Sequence, residues 1–417
     1  MTVAFKTFGC RLNRAEALDL EARYRAAGHD VVPLEAPSGR VGDGFSGPDL
    51  IVVRGCSVTA KAQRDCEKEI KRLRVRFPQA RILVTGCLPK TETVPQPSDL
   101  QPSTFNVQPS TFDIPLATSR AYLKIQDGCS GRCAFCIVPQ FRGRPVSVPF
   151  ADVLARARAF LDAGYRELVV TGCNLALYRS DGHGLADVLS ALAEIPGGDR
   201  LRVRLGSLEP GICDTAVLDA FAAHPNICRF IHLSLQSGSD AVLRRMNRPY
   251  TAETVARFCS EAVRRLGPRL SLGADVIAGF PGETESDHAL TRAFLSGDFA
   301  FSPLSTFNIQ PSTFSNLHVF PYSERPGTPA ATMDGALPRS IRLARARELE
   351  VLGRSQRAAF ARSFLGQTVE VCVEKDGLHG WTAEYLHCKL KGPAVRRSLV
   401  SVVVDRVEGD TLFSSAR

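Results

Sequence analysis

Cys129, Cys133 and Cys136, in the stretch DGCSGRCAFC at residues 127–136, combine residue types and spacing suited to metal chemistry. Thiolates select soft metals, chiefly zinc and iron–sulfur clusters. Structural zinc takes four ligands as closely spaced Cys and His pairs. After Cys136 the next cysteine is Cys173 and the next histidine His183, so zinc lacks a local fourth ligand. A redox pair at Cys133 and Cys136 leaves Cys129 without a role. A cubane cluster on three thiolates, with one iron left open, uses all three.

A second set of cysteines follows a repeated pattern. Gly9-Cys10, Gly55-Cys56 and Gly86-Cys87 close the apolar runs TVAFKTFG, DLIVVRG and ARILVTG. These runs and DVVPL predict strands, and 14–27 and 59–76 predict helices between them, giving an open, mostly parallel sheet. Such a sheet gathers its strand C-termini on one edge, beyond which ligands bind. The three thiols should therefore converge there. Cys66, Cys213, Cys228, Cys259, Cys372 and Cys388 read as small buried hydrophobes.

The elements around the first cysteine set repeat a β/α pattern from 119 to 323. Strands are predicted at 121–126, 167–172, 202–208, 230–236, 270–278 and 317–321, with helical stretches such as 150–163 and 251–265. Six units suggest a partial (β/α)6 barrel whose chemistry sits at the strand C-terminal ends. There the chain reads QDGCSGRC, TGCN, GSLEPG, QSGSD and AGFPGE. Beyond 366 short alternating strands divided by Gly377, Gly392 and Gly409 suit a small antiparallel, OB-like barrel. The fold class is thus α/β with a C-terminal β-barrel. Expected domains are 1–95, a low-complexity linker at 96–117, a central domain at 118–355 and a last domain at 363–417. The decamer STFNVQPSTF at 103–112 returns as STFNIQPSTF at 305–314 and reads as an inserted segment, placing an insert at about 301–315.

Thirteen cysteines, an odd count, in a chain whose first residues lack a secretion signal favour metal or redox chemistry over disulfides. No apolar run approaches the ~20 residues of a membrane span, and the expected location is the cytoplasm. A net charge of +9 suits a polyanionic partner, and Arg-rich helices are predicted at 61–76 and 337–362. In the last domain Trp381, Tyr385, Arg396 and Arg397 are candidates for RNA contact.

The Cys-x3-Cys-x2-Cys motif with Phe135 before its last cysteine resembles that of radical S-adenosylmethionine enzymes. FKTFGCRLNRAEA, KIQDGCSGRCAFCIVPQFRGR, HLSLQSGSDAVLRRMNRPYT, DVIAGFPGETESD and HVFPYSERPGTPA together resemble the methylthiotransferases, and GWTAEYLHCKL resembles their TRAM domain. The resemblance implies a radical-generating 4Fe-4S cluster on Cys129, Cys133 and Cys136, and a second 4Fe-4S cluster on Cys10, Cys56 and Cys87 that takes part in sulfur delivery. S-adenosylmethionine both methylates the sulfur and, cleaved by one electron, supplies the radical that activates a C–H bond. Phe135, Thr171, Ser207, Glu209, Gln236 and Ile277 would flank that cofactor. TFGCRLN and VAFK look most like the subgroup that converts N6-threonylcarbamoyladenosine beside the tRNA anticodon to its 2-methylthio form. The implied partners are the tRNA anticodon stem-loop and an electron donor such as flavodoxin or ferredoxin, with the enzyme a monomer away from membranes. Alternative substrates in the family are isopentenyladenosine tRNA and a ribosomal-protein aspartate. A reading of another class is an iron–sulfur RNA-binding protein that no longer catalyses, motivated by Arg54-Gly55 ahead of Cys56 where relatives usually carry Asn-Thr, by LPKTET after Cys87 where they usually carry Tyr-Ala-Gln, and above all by a stretch between Cys87 and Cys129 shorter than theirs.

Overall fold

Sheet formation by apolar runs that end in glycine governs both halves of the chain. The computed structural model describes residues 1–34, 47–88, 118–196, 201–211, 215–297 and 314–414. The expected linker at 96–117, Cys213 and the decamers other than Phe314 lie outside the described residues. Contacts divide the chain into two compact units: Met1–Ala117 with Ile137–Arg144, and Thr118–Cys136 with Pro145–Arg417.

In the first unit β1 (Thr2–Thr7), β2 (Asp30–Val31), β3 (Leu50–Gly55) and β4 (Arg81–Gly86) form a parallel sheet in the order β2-β1-β3-β4. The predicted strand DVVPL is only two residues long, because Pro33 has no N–H to donate to the ladder. β3 is buried along its whole length, as a central parallel strand covered on both faces must be. Helices α1 (Arg11–Ala26) and α2 (Ala60–Arg76) supply apolar contacts through Tyr24, Cys66 and Leu73. Short α3 (Val138–Arg142) also belongs to this unit.

The second unit carries all six predicted strands. They appear as β5 (Ala121–Lys124) with β6 (Gln126–Asp127), β8 (Glu167–Thr171), β9 (Arg202–Leu205) with β10 (Ser207–Leu208), β11 (Phe230–Gln236), β12 (Ser271–Ala278) and β13 (Phe314–Pro321). β7 (Val146–Ser147) pairs antiparallel with β6. The parallel ladder splits at Gly206 into β5-β8-β9 and β10-β11-β12-β13. A Cβ at Gly206 would lie 2.8 Å from the Val170 carbonyl oxygen, so the backbone there packs too closely for any side chain. Helices α4 (Phe150–Asp162), α5 (Leu185–Ala193), α6 (Ala216–Ala223), α7 (Asp240–Arg245), α8 (Ala252–Leu266) and α9 (Glu285–Ser296) alternate with the strands. Thr284 caps α9 by accepting the Asp287 N–H, while the Asp287 carboxylate accepts the Thr284 N–H, a reciprocal capping box.

Helix α10 (Arg339–Arg362) leads into a closed five-stranded barrel of β14 (Thr368–Val373), β15 (His379–Thr382), β16 (His387–Lys389), β17 (Leu399–Glu408) and β18 (Thr411–Ser414). The barrel departs from the antiparallel expectation at one seam, where β16 and β18 pair in parallel. That seam joins strands whose connection, through β17, spans the barrel, and it closes the sheet without leaving an edge. Val369, Val371, Leu386, Cys388, Val404 and Leu412 form its core together with Phe360 and Phe364 from the end of α10 and the turn after it.

Beneath the barrel lies the most buried charge group of this unit. Glu167 on β8 is fully buried and accepts from Arg202 Nε at 2.6 Å and Arg204 Nε at 2.7 Å. The remaining guanidinium nitrogens reach main-chain oxygens of the barrel. Arg202 donates to Glu370 O at 2.9 Å and to Trp381 O, and Arg204 to Thr382 O at 2.8 Å and Ala383 O at 3.1 Å.

Candidate cysteine-centred active site

The first unit gathers its three cysteines on the strand-terminal edge. Gly9 and Gly86 both hold φ +89°, a left-handed conformation that glycine alone adopts cheaply. A Cβ on Gly9 would sit 2.8 Å from Cys56 Sγ, so this glycine is also needed for space. Cys10 occupies the N-cap of α1 without spending its side chain on a cap bond. Burial pushes the Cys56 thiol up to about 11, and Cys10 and Cys87 add to the rise by like charge, which is the electrostatic mark of three converging thiols. Burial raises Cys87 too, opposed by Arg142, whose Nε donates to Cys87 Sγ at 3.1 Å.

Arg142 ties this edge together. Its other nitrogens donate to Glu16 at 2.9 Å and Asn13 Oδ1 at 2.8 Å, and the same Glu16 pairs with Arg54. Buried Asn13 in turn donates to Phe8 O at 2.9 Å and Gly55 O at 2.8 Å, joining the ends of β1 and β3. Arg54-Gly55 is thereby accounted for. The arginine neutralises Glu16, and a Cβ at Gly55 would collide with Leu88 at 2.0 Å. Cys66 is not part of the set; its sulfur accepts the Cys56 N–H at 3.4 Å from beneath.

The second unit carries Cys129, Cys133 and Cys136, all half-buried, in the loop after β6. The loop is pinned by Ala134 N–H donating to Met246 O at 2.9 Å and by Asn247 Nδ2 donating to Arg132 O at 2.8 Å. The Gly131 N–H donates to Cys129 Sγ at 3.3 Å. A Cβ on Gly131 would lie 3.2 Å from Cys129 Sγ and 3.6 Å from Cys133 Sγ, so the glycine leaves the sulfurs' inner side open. Arg248 Nη1 donates to Cys133 Sγ at 3.0 Å, and its Nη2 lies 3.2 Å from Glu209 Oε1. Burial pushes the Cys133 thiol up and Arg248 draws it down. Among the described residues neither cysteine trio has all three of its sulfurs within 4.8 Å of one another. Three separated thiolates with a backbone N–H and a guanidinium turned toward sulfur fit a cluster, in which each sulfur serves its own iron.

A cavity of ≈ 310 Å³ opens beside this loop, lined by Ser130, Cys133, Asn174, Glu209, Asn247 and Arg248 among others. Of the six residues expected around S-adenosylmethionine, Glu209 lines it, accepting from Asn174 Nδ2 at 2.5 Å. Phe135 packs edge-on against Phe280 at 6.4 Å, and Ile277 joins the same apolar cluster. Thr171 is buried at the end of β8, Ser207 is exposed, and Gln236 ends β11 with φ +68° after a break in register. Arg248 and Asn174 were not singled out from the sequence. Both lie inside quoted motifs, MNRPY and TGCN, and their polarity at a strand end or a turn was the available signal.

The residues expected to meet RNA are used differently. Trp381 and Tyr385 stack on each other at 4.8 Å, Tyr385 stacks on Phe230 at 4.8 Å, and Arg204 lies over Tyr385. Those rings pack the barrel against the parallel strands. Arg397 covers Tyr165 at 4.5 Å and donates to Thr118 O at 3.2 Å, while Arg396 has two buried guanidinium nitrogens without a hydrogen-bond partner among the described residues. The basic helices also differ. In α10, Arg342, Arg345 and Arg357 pair with Glu324, Glu283 and Asp410, whereas in α2 Lys61, Arg64, Lys68, Lys71 and Arg74 are exposed.

The raised thiols carry a pH consequence. Metal loading requires thiolate, so iron uptake by metal-free protein at the first unit's cysteine set, whose Cys56 and Cys87 thiols are raised, should accelerate as pH rises from 7 to 9. Below a value near 11 each pH unit exposes about tenfold more Cys56 thiolate. The initial rate of cluster absorbance during anaerobic reconstitution of Cys129→Ala/Cys133→Ala/Cys136→Ala protein measures this, and a flat rate contradicts it.

Residues 123–295 match the model described as the radical SAM superfamily, and residues 2–101 match the uncharacterized protein family UPF0004. A threonylcarbamoyladenosine tRNA methylthiotransferase MtaB of Chlamydia pneumoniae is 30% identical, over 97% of this chain and 96% of that one. A tRNA-2-methylthio-N(6)-dimethylallyladenosine synthase of Cereibacter sphaeroides is 31% identical, over 92% of this chain and 90% of that one. Among solved structures, a radical S-adenosylmethionine methyltransferase, TsrM, of Kitasatospora setae aligns with TM-score 0.52 at 16% identity, covering 79% of this chain and 75% of that one, a likeness of fold alone. Among the described residues no helix is long and apolar enough to cross a membrane.

Proposed function

This chain belongs to the radical S-adenosylmethionine methylthiotransferases, and from that premise we propose that it methylthiolates tRNA, converting N6-threonylcarbamoyladenosine beside the anticodon to its 2-methylthio derivative. The observation that carries sulfur transfer is the second thiol set, Cys10, Cys56 and Cys87, converging on one sheet edge in the same chain as the cysteine loop. Relatives named for this substrate support the choice of base. The exposed cations of α2 support a polyanionic partner, since phosphate neutralisation supplies most of the non-specific affinity for nucleic acid.

Cys129, Cys133 and Cys136 would hold the radical-generating 4Fe-4S cluster, and Cys10, Cys56 and Cys87 the second one. When bound, the first supplies one-electron cleavage of the sulfonium bond of S-adenosylmethionine. The protein's own residues position and tune. Glu209 offers a carboxylate to the cofactor's ammonium, and Arg248 balances charge at Cys133 while steadying Glu209. Asn174 orients that carboxylate. In the first unit Arg142 does for Cys87 what Arg248 does for Cys133. A flavodoxin- or ferredoxin-type protein would deliver the electron, and the enzyme would act as a monomer.

Reconstituted protein is tested anaerobically with tRNA carrying threonylcarbamoyladenosine, and nucleosides are read by mass spectrometry. The expected product is the 2-methylthio nucleoside. A Cys10→Ala/Cys56→Ala/Cys87→Ala variant should keep S-adenosylmethionine cleavage, lose about half its iron and make no methylthiolated base. Unmodified threonylcarbamoyladenosine alongside methylthiolated dimethylallyladenosine tRNA would sink the choice of substrate. Equal iron in variant and wild type would sink the second cluster.

A further inference from the structure

His232, Asp275 and His318 belong to neither cysteine set and have no part in the chemistry above. They come from three neighbouring parallel strands, β11, β12 and β13. Register explains their meeting. His232 lies opposite Gly273, Asp275 lies opposite His318, and Gly273 and Asp275 share a sheet face because they are two residues apart. Gly273 is what lets the imidazole in: a Cβ there would lie 2.2 Å from His232 Nδ1. The ring folds over the glycine and brings Nε2 to 3.0 Å from Asp275 Oδ1. His318 Nδ1 approaches the same oxygen at 3.3 Å.

We propose that His232, Asp275 and His318 form a binding site for one divalent first-row transition-metal ion, zinc being the natural occupant of such a donor set. The donor atoms all lie within 4.8 Å of one another. A tetrahedral ion with bonds of about 2.0–2.1 Å holds its ligands roughly 3.3 Å apart, close to the 3.0 Å and 3.3 Å that separate the two imidazole nitrogens from Asp275 Oδ1. His232 is 3% exposed, its Nε2 faces the Asp275 carboxylate, and its Nδ1 has no hydrogen-bond partner among the described residues. Two imidazoles and one carboxylate suit zinc, iron(II), cobalt or nickel, and are a poor match to calcium or magnesium, which seek six or more oxygens. The side chain of His318 is 47% exposed, so the fourth position faces solvent and takes water. The ion would join three strands of the four-stranded sheet, and its presence does not depend on which base the enzyme modifies.

The full-length protein, clusters reconstituted, is dialysed anaerobically against micromolar zinc, and retained zinc and iron are counted by mass spectrometry. About one zinc per chain is expected, with an X-ray absorption spectrum showing only nitrogen and oxygen neighbours at about 2.0–2.1 Å. Chelator competition should show that His232→Gln and His318→Gln each weaken zinc binding at least about tenfold. Zinc should raise the Tm of wild type by mass action and leave that of His318→Gln unmoved. His318 is half-exposed, so this variant folds even where His232→Gln does not. Sulfur in the zinc shell, zinc retention equal in wild type and His318→Gln, or no retained zinc would each overturn the proposal.

Discussion

Cys133→Ala protein is expected to form 5'-deoxyadenosine no faster than background, a fall of at least about a thousandfold, or roughly 4 kcal/mol of lost transition-state stabilisation. The cysteine loop offers three thiols and no spare. The guanidinium that donates to Cys133 Sγ, that of Arg248, stays protonated and cannot ligate iron. Iron bound to the second unit should disappear with the activity. Arg248→Ala is the informative contrast. It keeps all three ligands but removes the N–H donated to sulfur and the partner of Glu209. Losses at such supporting positions run about 10–100-fold, so residual activity should be measurable, with a lower cluster midpoint potential because a donor to sulfur has gone. Anaerobic product assays with parallel iron counts and potentiometric spectroscopy read all three effects. Cys133→Ala protein that retained full iron and cleavage would remove this loop from the chemistry.

Glu167→Ala should be the most destabilising single change among the buried charges, at about 3–5 kcal/mol. The carboxylate is wholly buried and holds two guanidiniums that are themselves 2% and 0% exposed, so its removal strands two cations. The arginines hold Glu167 ionised far below the ordinary carboxylate range, outweighing the opposing effect of burial, the largest single influence on it. The stability this pair confers is therefore complete at neutral pH and is lost only in strong acid. In a unit of this size the expected shift is a Tm lower by roughly 10 °C, with the barrel loosening at the same transition. Calorimetry checks it, and an unchanged Tm would mean that the arginines find water.

Much of the site was legible because cysteine spacing and strand-terminal glycines are local. The three strand ends carrying Cys10, Cys56 and Cys87, and the six strands of the second unit, follow from apolar runs that stop at a glycine or polar residue. What escaped depends on distant partners. Arg142 reaches Cys87 across 55 positions of sequence, and nothing in QFRGR marks it off from other arginines. RVRL at 202–205 alternates charge and hydrophobe as a half-exposed strand would, yet both arginines are buried, because Glu167 and the barrel carbonyls await them. Trp381 and Tyr385 are candidates for RNA contact by type; the fold adds that Phe230 stacks on Tyr385. The parallel seam of β16 and β18 was equally hidden, since strand polarity within a barrel is set by closure and not by composition.

Arg202 and Arg204 grip the barrel through the carbonyl oxygens of residues 370, 381, 382 and 383. A carbonyl is present whatever side chain the residue bears, so this attachment is blind to the identity of the amino acids it holds. Substitutions that change only side chains at residues 370, 382 and 383 should therefore leave this part of the anchorage intact.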